Sequence, residues 1–180
     1  MLRRGTLVRR DGTLPSALRK DTHMTKKRGL FLALFMAVIV AVDQITKALV
    51  RANIPFGTGV RVIPGVVRLT YVRNTGAAFS MLSGARWLFL LLVVVFFAAV
   101  AILIWKKIIS KPVELWCLAA IGGGAIGNAI DRAATGEVTD MIEPLFMEFA
   151  VFNVADIFIT CGAILLVVYM LFFDREKEKR

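Results

Sequence analysis

Apolar positions along this chain fall in long blocks instead of the short alternating or every-third patterns of a soluble fold. The cleanest block, residues 87–105, holds no charged residue. At about 1.5 Å per helical residue it nearly crosses a hydrocarbon core of roughly 30 Å. Three more blocks follow the same logic: 30–50, interrupted by Asp43 and Lys47; 115–134, interrupted late by Asp131 and Arg132; and 149–173, interrupted by Asp156. The pattern predicts four transmembrane helices over about 30–50, 87–105, 115–134 and 149–173, in one membrane domain spanning 24–173.

The period changes between the first two blocks. Residues 60–73 are rich in β-branched side chains, Pro64 and Gly65 mark a turn, and Val67, Leu69 and Tyr71 then alternate with Arg68, Thr70 and Val72. A small β-hairpin or curved sheet resting on the membrane is predicted, with Asn74 and Gly76 turning the chain back to the bilayer. The fold class is therefore an all-α membrane protein with a small β-rich cradle between helices 1 and 2.

Composition agrees, with 58% hydrophobic residues and a mean hydropathy of +0.72. A water-soluble domain could not cover so much apolar surface. Basic clusters at Lys26, Lys27 and Arg28, at Lys106, Lys107 and Lys111, and at Arg175, Lys177, Lys179 and Arg180 predict N-in, C-in topology. The connection between spans three and four, with Glu137, Asp140, Glu143 and Glu148, suits the outer side. Residues 51–86 run against this, carrying Arg51, Arg61, Arg68, Arg73 and Arg86 with no acid. The net charge of +10 is read as contact with anionic lipid headgroups, not with nucleic acid. Residues 1–23 read as a tag or disordered cytoplasmic leader before a start at Met24, and residues 174–180 as a charged cytoplasmic tail.

The chemistry rests on acids placed near hydrocarbon. A carboxylate there is costly unless paired, protonated or facing a wet cavity, so Asp140 and Asp156 are candidates for acid/base work on water. Around them polar residues fall in helical register. Asp43 and Lys47 share a face at i, i+4, and Asn128, Asp131 and Arg132 share one at i, i+3, i+4. Asn153 precedes Asp156 by three. An Asp131–Arg132 pair would hold Asp131 ionised, and Asp131 rivals Asp140 as the catalytic acid. Three helices thus direct polar faces to one depth.

Several alternatives narrow. The only histidine, His23, sits in the leader, so histidine bases and histidine-ligated metals are set aside; no metal or cofactor is expected. Cys117 and Cys161 lack a CxxC spacing and read as buried packing thiols. Gly122, Gly123, Gly124 and Gly127 lack a GK[ST] ending, and Gly123 with Gly127 forms a small-xxx-small helix-packing face instead. A proton-coupled carrier, a Ser/Lys protease built from Ser80 or Ser83 with Lys47, and a non-catalytic scaffold remain as rivals.

Five blocks taken in order, Val-Asp-Gln-Ile-Thr-Lys (42–47), Asn-Thr-Gly-Ala-Ala-Phe (74–79), Gly-Asn-Ala-Ile-Asp-Arg (127–132), Glu-Val-Thr-Asp (137–140) and Phe-Asn-Val-Ala-Asp (152–156), resemble the lipoprotein signal peptidases, or signal peptidase II. The resemblance covers residues from about 29 to 173. It implies an aspartic endopeptidase of the bacterial inner membrane that removes signal peptides from prolipoproteins, cutting before a diacylglyceryl-modified cysteine. One chain holds the full constellation, so a monomer suffices, and the charge-based topology predicts a site toward the outer, periplasmic face. The family's catalytic aspartates fall on Asp140 and Asp156. The same resemblance makes Asp43, Lys47, Asn74, Gly76, Asn128, Asp131, Arg132 and Asn153 supporting or substrate-binding positions. The hairpin then corresponds to the family's periplasmic cradle. Two departures stand out: Thr139 and Met141 flank Asp140 where the family usually has Val and Phe, and the stretch from Asp140 to Phe152 is short.

Overall fold

In the computed structural model of the chain, residues 16–76 and 81–173 are described, with side chains from residue 26 onward. Ser80, the tail 174–180 and most of the leader lie outside them.

Helix α1 spans Ser16–Asn53, and α2 (Arg86–Trp105), α3 (Pro112–Thr135) and α4 (Val154–Phe172) complete the helical part. Four segments, Lys26–Asn53, α2, α3 and α4, are long and apolar enough to cross a membrane. Their apolar side chains remain largely exposed, the state of helices whose outer faces meet lipid. In α2 no residue is buried against protein.

Helix α3 is the hub, packing against α1, α2 and α4. Its glycines make that possible, and they serve three neighbours instead of one. A side-chain carbon on Gly122 would meet Phe97 of α2 and Met36 of α1, one on Gly123 would meet Ile39, and one on Gly127 would meet Asp43, both of α1. On Gly124 it would collide with the carbonyl of Ala155 in α4. The expected Gly123/Gly127 face therefore does receive a helix, and the extra pair, Gly122 and Gly124, seats the other two.

Strands β1 (Gly59–Ile63) and β2 (Val67–Asn74) form the expected hairpin. A third strand, β3 (Val138–Pro144), was not expected. It lies antiparallel to β2, with Val72 opposite Asp140, giving the order β1-β2-β3. The cradle thus draws on the α3–α4 connection as well as the α1–α2 connection. Tyr71 and Met141 pack on Val50 near the end of α1 and fasten the sheet to the helices.

Helix α4 starts at Val154, five residues later than the apolar run suggested. Asn153 ends the preceding segment as an N-cap, accepting from the Asp156 N–H, and Phe152 bridges back to Ile142 of β3. Hydrophobicity marks what lipid or core can accept, but the cap decides where the helix begins.

Arginines of residues 51–86 have acidic partners. Arg68 makes a two-pronged pair with Glu143, Arg73 meets Glu137 at 3.3 Å, and Arg51 lies 3.8 Å from Asp131. Three of those five arginines are therefore matched by acids of α3 and the α3–α4 connection.

Candidate active site

Strand β3 carries Asp140 and the first turn of α4 carries Asp156, and one residue ties them together. Asn153 donates through Nδ2 to Asp140 Oδ1 at 2.7 Å, and its backbone N–H donates to Asp156 Oδ2 at 3.1 Å. The Asp156 N–H in turn donates to Asn153 Oδ1 at 3.0 Å, closing a capping box. Asn74, at the end of β2, donates to Asp140 Oδ2 at 2.9 Å, and its own Oδ1 is occupied by the Gly76 N–H. Asn128 of α3 donates to Asp156 Oδ1 at 2.7 Å. All four carboxylate oxygens are held by amide donors.

Both aspartates line one cavity of about 530 Å³ with Asn74, Gly76, Asn128 and Arg132. Its remaining wall is mainly apolar, including Phe89, Phe149, Ile157 and Cys161. Asp140 is 2% exposed, and burial pushes its carboxyl up to about 6, with Asp156 adding to the rise against the Asn74 and Asn153 hydrogen bonds. A carboxylic acid that keeps its proton to such a pH is suited to acid/base work.

Behind the cavity lies a fully buried ammonium. Lys47 Nζ meets Asp43 Oδ2 at 2.8 Å, Asp131 Oδ2 at 2.9 Å and Asn128 Oδ1 at 2.9 Å. The expected Asp43–Lys47 pair is present. The expected pairing of Asp131 with Arg132 is not: consecutive helical residues diverge by about 100°, so Asp131 turns to Lys47 and Arg132 turns into the cavity. There Arg132 stacks 4.4 Å from the Phe89 ring centre and donates to the Gly76 carbonyl at 2.7 Å. Asp43 also accepts the Ala155 N–H at 3.0 Å, fastening the start of α4 to α1.

Asp131 lines a second cavity, of about 360 Å³, with Gln44, Arg51, Arg73, Glu137 and Thr139. Strand alternation explains the division: Asp140 faces one side of β3 while Thr139 and Met141 face the other. Arg51 donates to Thr139 Oγ1 at 3.0 Å and Met141 joins the Val50–Tyr71 core. The two unusual flanking residues thus sit on the side away from Asp140 and its cavity.

One thiol differs from expectation. Cys117 is buried, but Cys161 is exposed because α4 turns it toward the cavity and away from α3. Sequence reasoning also passed over Gln44, which donates to the Gly127 carbonyl and to Asp131, and over Phe89. Gln44 stood inside a polar block within an apolar span and could have been found. Phe89 had no such signal. Among the described residues no cluster of His, Cys, Asp and Glu is arranged to hold a metal ion.

Four apolar helices, a small antiparallel sheet and a carboxylate-lined cavity make this a multi-pass membrane protein of the peptidase class. Residues 35–172 match the Signal peptidase (SPase) II family. The lipoprotein signal peptidase of Lactococcus lactis subsp. lactis is 39% identical over 152 residues, covering 84% of this chain and 99% of that protein. Its counterpart in Streptococcus pyogenes serotype M2 is 40% identical over 146 residues, covering 79% and 93%. A bacterial membrane enzyme solved by the in meso method superposes with a TM-score of 0.77 at 30% identity, covering 83% of this chain and 93% of that one. The chain belongs to the signal peptidase II family, whose members are proteases of the bacterial membrane.

Proposed function

We propose that this protein is an aspartic endopeptidase that removes signal peptides from prolipoproteins, cutting before a diacylglyceryl-modified cysteine with Asp140 and Asp156. The observation that carries this reading is that both carboxylates open into one cavity and are anchored to the same residue, Asn153. Two neighbouring buried carboxyl groups do not readily ionise together, so they share a proton. The ionised member takes a proton from water as its oxygen attacks the scissile carbonyl carbon, and the protonated member gives its proton to the carbonyl oxygen. As the tetrahedral intermediate collapses, the carbon–nitrogen bond breaks, the amine takes the first proton and the second returns to its carboxylate. No covalent enzyme intermediate forms.

The surroundings suit such a substrate. The apolar wall of Phe89, Phe149, Ile157 and Cys161 offers a path for acyl or signal-peptide side chains. Asn74, Gly76 and Arg132 form the polar rim toward the sheet. The basic clusters favour N-in, C-in topology, which puts the dyad and cradle on the periplasmic side. The reverse assignment, with Asp131 as catalytic acid, is disfavoured by its pairing to Lys47 and its place in the second cavity.

The test is cleavage of a diacylglyceryl-modified precursor by the full-length protein in lipid–detergent micelles. Asp140→Asn and Asp156→Asn should each abolish product while keeping the wild-type melting profile within a few degrees. Wild-type cleavage by either variant would reject the dyad. The unlipidated precursor should remain uncut.

A further inference from the structure

Lys47 lies outside the catalytic cavity, yet it reaches Asp156 through a single amide. Its three ammonium hydrogens have three acceptors: Asp43, Asp131 and Asn128. A lysine has no acceptor to offer. The atom of Asn128 facing Lys47 is therefore the amide oxygen, and the same oxygen also accepts from Asn153 Nδ2 at 3.1 Å. With its oxygen committed twice, Asn128 has only its NH₂ group to present to Asp156, at 2.7 Å. An NH₂ group so fixed requires an acceptor opposite it.

The second oxygen of Asp156 is treated alike. It accepts the Asn153 N–H at the start of α4, where the helix dipole favours negative charge. Asp140 sits in strand β3 and takes no part in the capping box that opens α4. Asn74 and Asn153 give it one donor per oxygen, the same number that Asp156 has, so the two acids differ in the helix start and the ammonium behind Asn128, not in donor count. The charged groups around Asp156 are Asp140 from β3 and Arg132 from α3, with Asp43 and Lys47 of α1 and Asp131 of α3 behind Asn128. Arg86, which opens α2, is directed to the Ala133 carbonyl instead.

We propose that Lys47 is a positioning residue that sets the direction of proton transfer: it locks Asn128 so that Asp156 is the ionised base and the resting proton stays on Asp140. Asp156 then takes the proton from the attacking water and passes it to the leaving nitrogen. Asp140 gives its proton to the carbonyl oxygen and recovers it when the carbon–nitrogen bond breaks. Without Lys47, Asn128 Oδ1 keeps only the 3.1 Å bond from Asn153, so its NH₂ group is held less firmly toward Asp156 and the preference for a proton on Asp140 weakens. This assignment rests on the dyad reading above.

The charge-balanced variant Lys47→Met with Asp131→Asn separates orientation from net charge. Wild type carries one positive and two negative charges at this cluster, and the double variant carries one negative charge, so the sum is preserved. In the full-length protein we expect a KM within about twofold of wild type. We also expect kcat at neutral pH lowered at least about tenfold and the acid limb of the kcat/KM profile moved up by about one pH unit. An unchanged profile in a folded variant overturns the role, as does a loss confined to KM.

A second measurement needs no stable Lys47 variant. In wild-type protein with ¹³C-labelled aspartate carboxyls, assigned by Asp140→Asn and Asp156→Asn, the last of the pair to lose its proton should be the signal absent from Asp140→Asn. The opposite order overturns the assignment. Failure here, with both asparagine variants inactive, leaves the dyad intact and removes only the role of Lys47.

Discussion

Asn153 Nδ2 donates to Asp140 Oδ1 at 2.7 Å across the join between β3 and α4. The same side chain caps α4 by accepting from Asp156, so one residue is both a helix terminus and a site fastener. Asn153→Ala should cost about 1–2 kcal/mol of stability for the lost cap and reduce turnover at least about 100-fold. Asn153→Asp keeps the capping oxygen but replaces the donor with a charge beside Asp140. It should therefore recover much of the thermal stability and little of the activity, as read by melting and by precursor cleavage. Activity returning with stability would make Asn153 a cap only.

The buried carboxyl of Asp140 gives stability a pH signature. Burial raises it from 3.8 to about 6. Between those values the folded chain holds a proton that the unfolded chain has released. Its contribution is complete below the unfolded value, declines as pH rises through the window, and is gone above about 6; the size is about 3 kcal/mol. Asp140→Asn lacks this dependence. Melting curves from about pH 4 to 7 should show the variant gaining on wild type as pH rises, and parallel curves would contradict the buried proton.

Helix packing at α3 should respond to one added methyl according to what it meets. On Gly124 a methyl meets the backbone carbonyl of Ala155, which belongs to α4 and has nowhere to go. On Gly122 it meets the side-chain ends of Phe97 and Met36 at 3.1–3.2 Å, which need give by only a few tenths of an ångström. Gly124→Ala should destabilise by about 2–3 kcal/mol and cripple cleavage by displacing Asp156. Gly122→Ala should cost under about 1 kcal/mol and leave cleavage near wild type. Equal losses would mean that the α3–α4 contact is not specially tight.

Phe89 supplies the ring under Arg132. Phe89→Leu keeps an apolar side chain and removes the cation–π contact at 4.4 Å. A loss of about 1–2 kcal/mol is expected, seen as a roughly 5- to 30-fold lower kcat/KM for the lipid-modified precursor. The variant's melting temperature should hardly move.

The parts of this molecule that read well from sequence are those fixed by one-dimensional spacing. Four apolar runs became four helices, β-branched alternation became β1 and β2, and the i, i+4 spacing of Asp43 and Lys47 became a contact. The parts that did not read well depend on which distant segment arrives alongside. Strand β3 contains Asp140, Glu143 and Pro144, a composition that suggests a loop, and it becomes a strand because β2 offers it an edge. Spacing put Asp131 and Arg132 on one face, but their different partners on α1 and α2 sent them to different cavities. Asp140 and Asp131 were equivalent as isolated acids, and only the folded chain separates them: β3 turns Asp140 into the first cavity, while α3 turns Asp131 to Lys47 and the second. The exposure of Cys161 likewise depended on the rotation of α4.

The spacing of Asp43 and Lys47 bears on how the chain enters the bilayer. The two charges lie one turn apart on α1, 2.8 Å from each other, so the first segment to be made carries its own counter-ion. It meets lipid as a nearly neutral rod before any later segment exists to compensate it. Asp131 is made some eighty residues afterwards and finds a cation already waiting at the right depth. The order of synthesis and the order of charge neutralisation coincide, and Asp156, the last acid of the cluster to be made, arrives when Asn128, Asn153 and the buried lysine behind them have already been made.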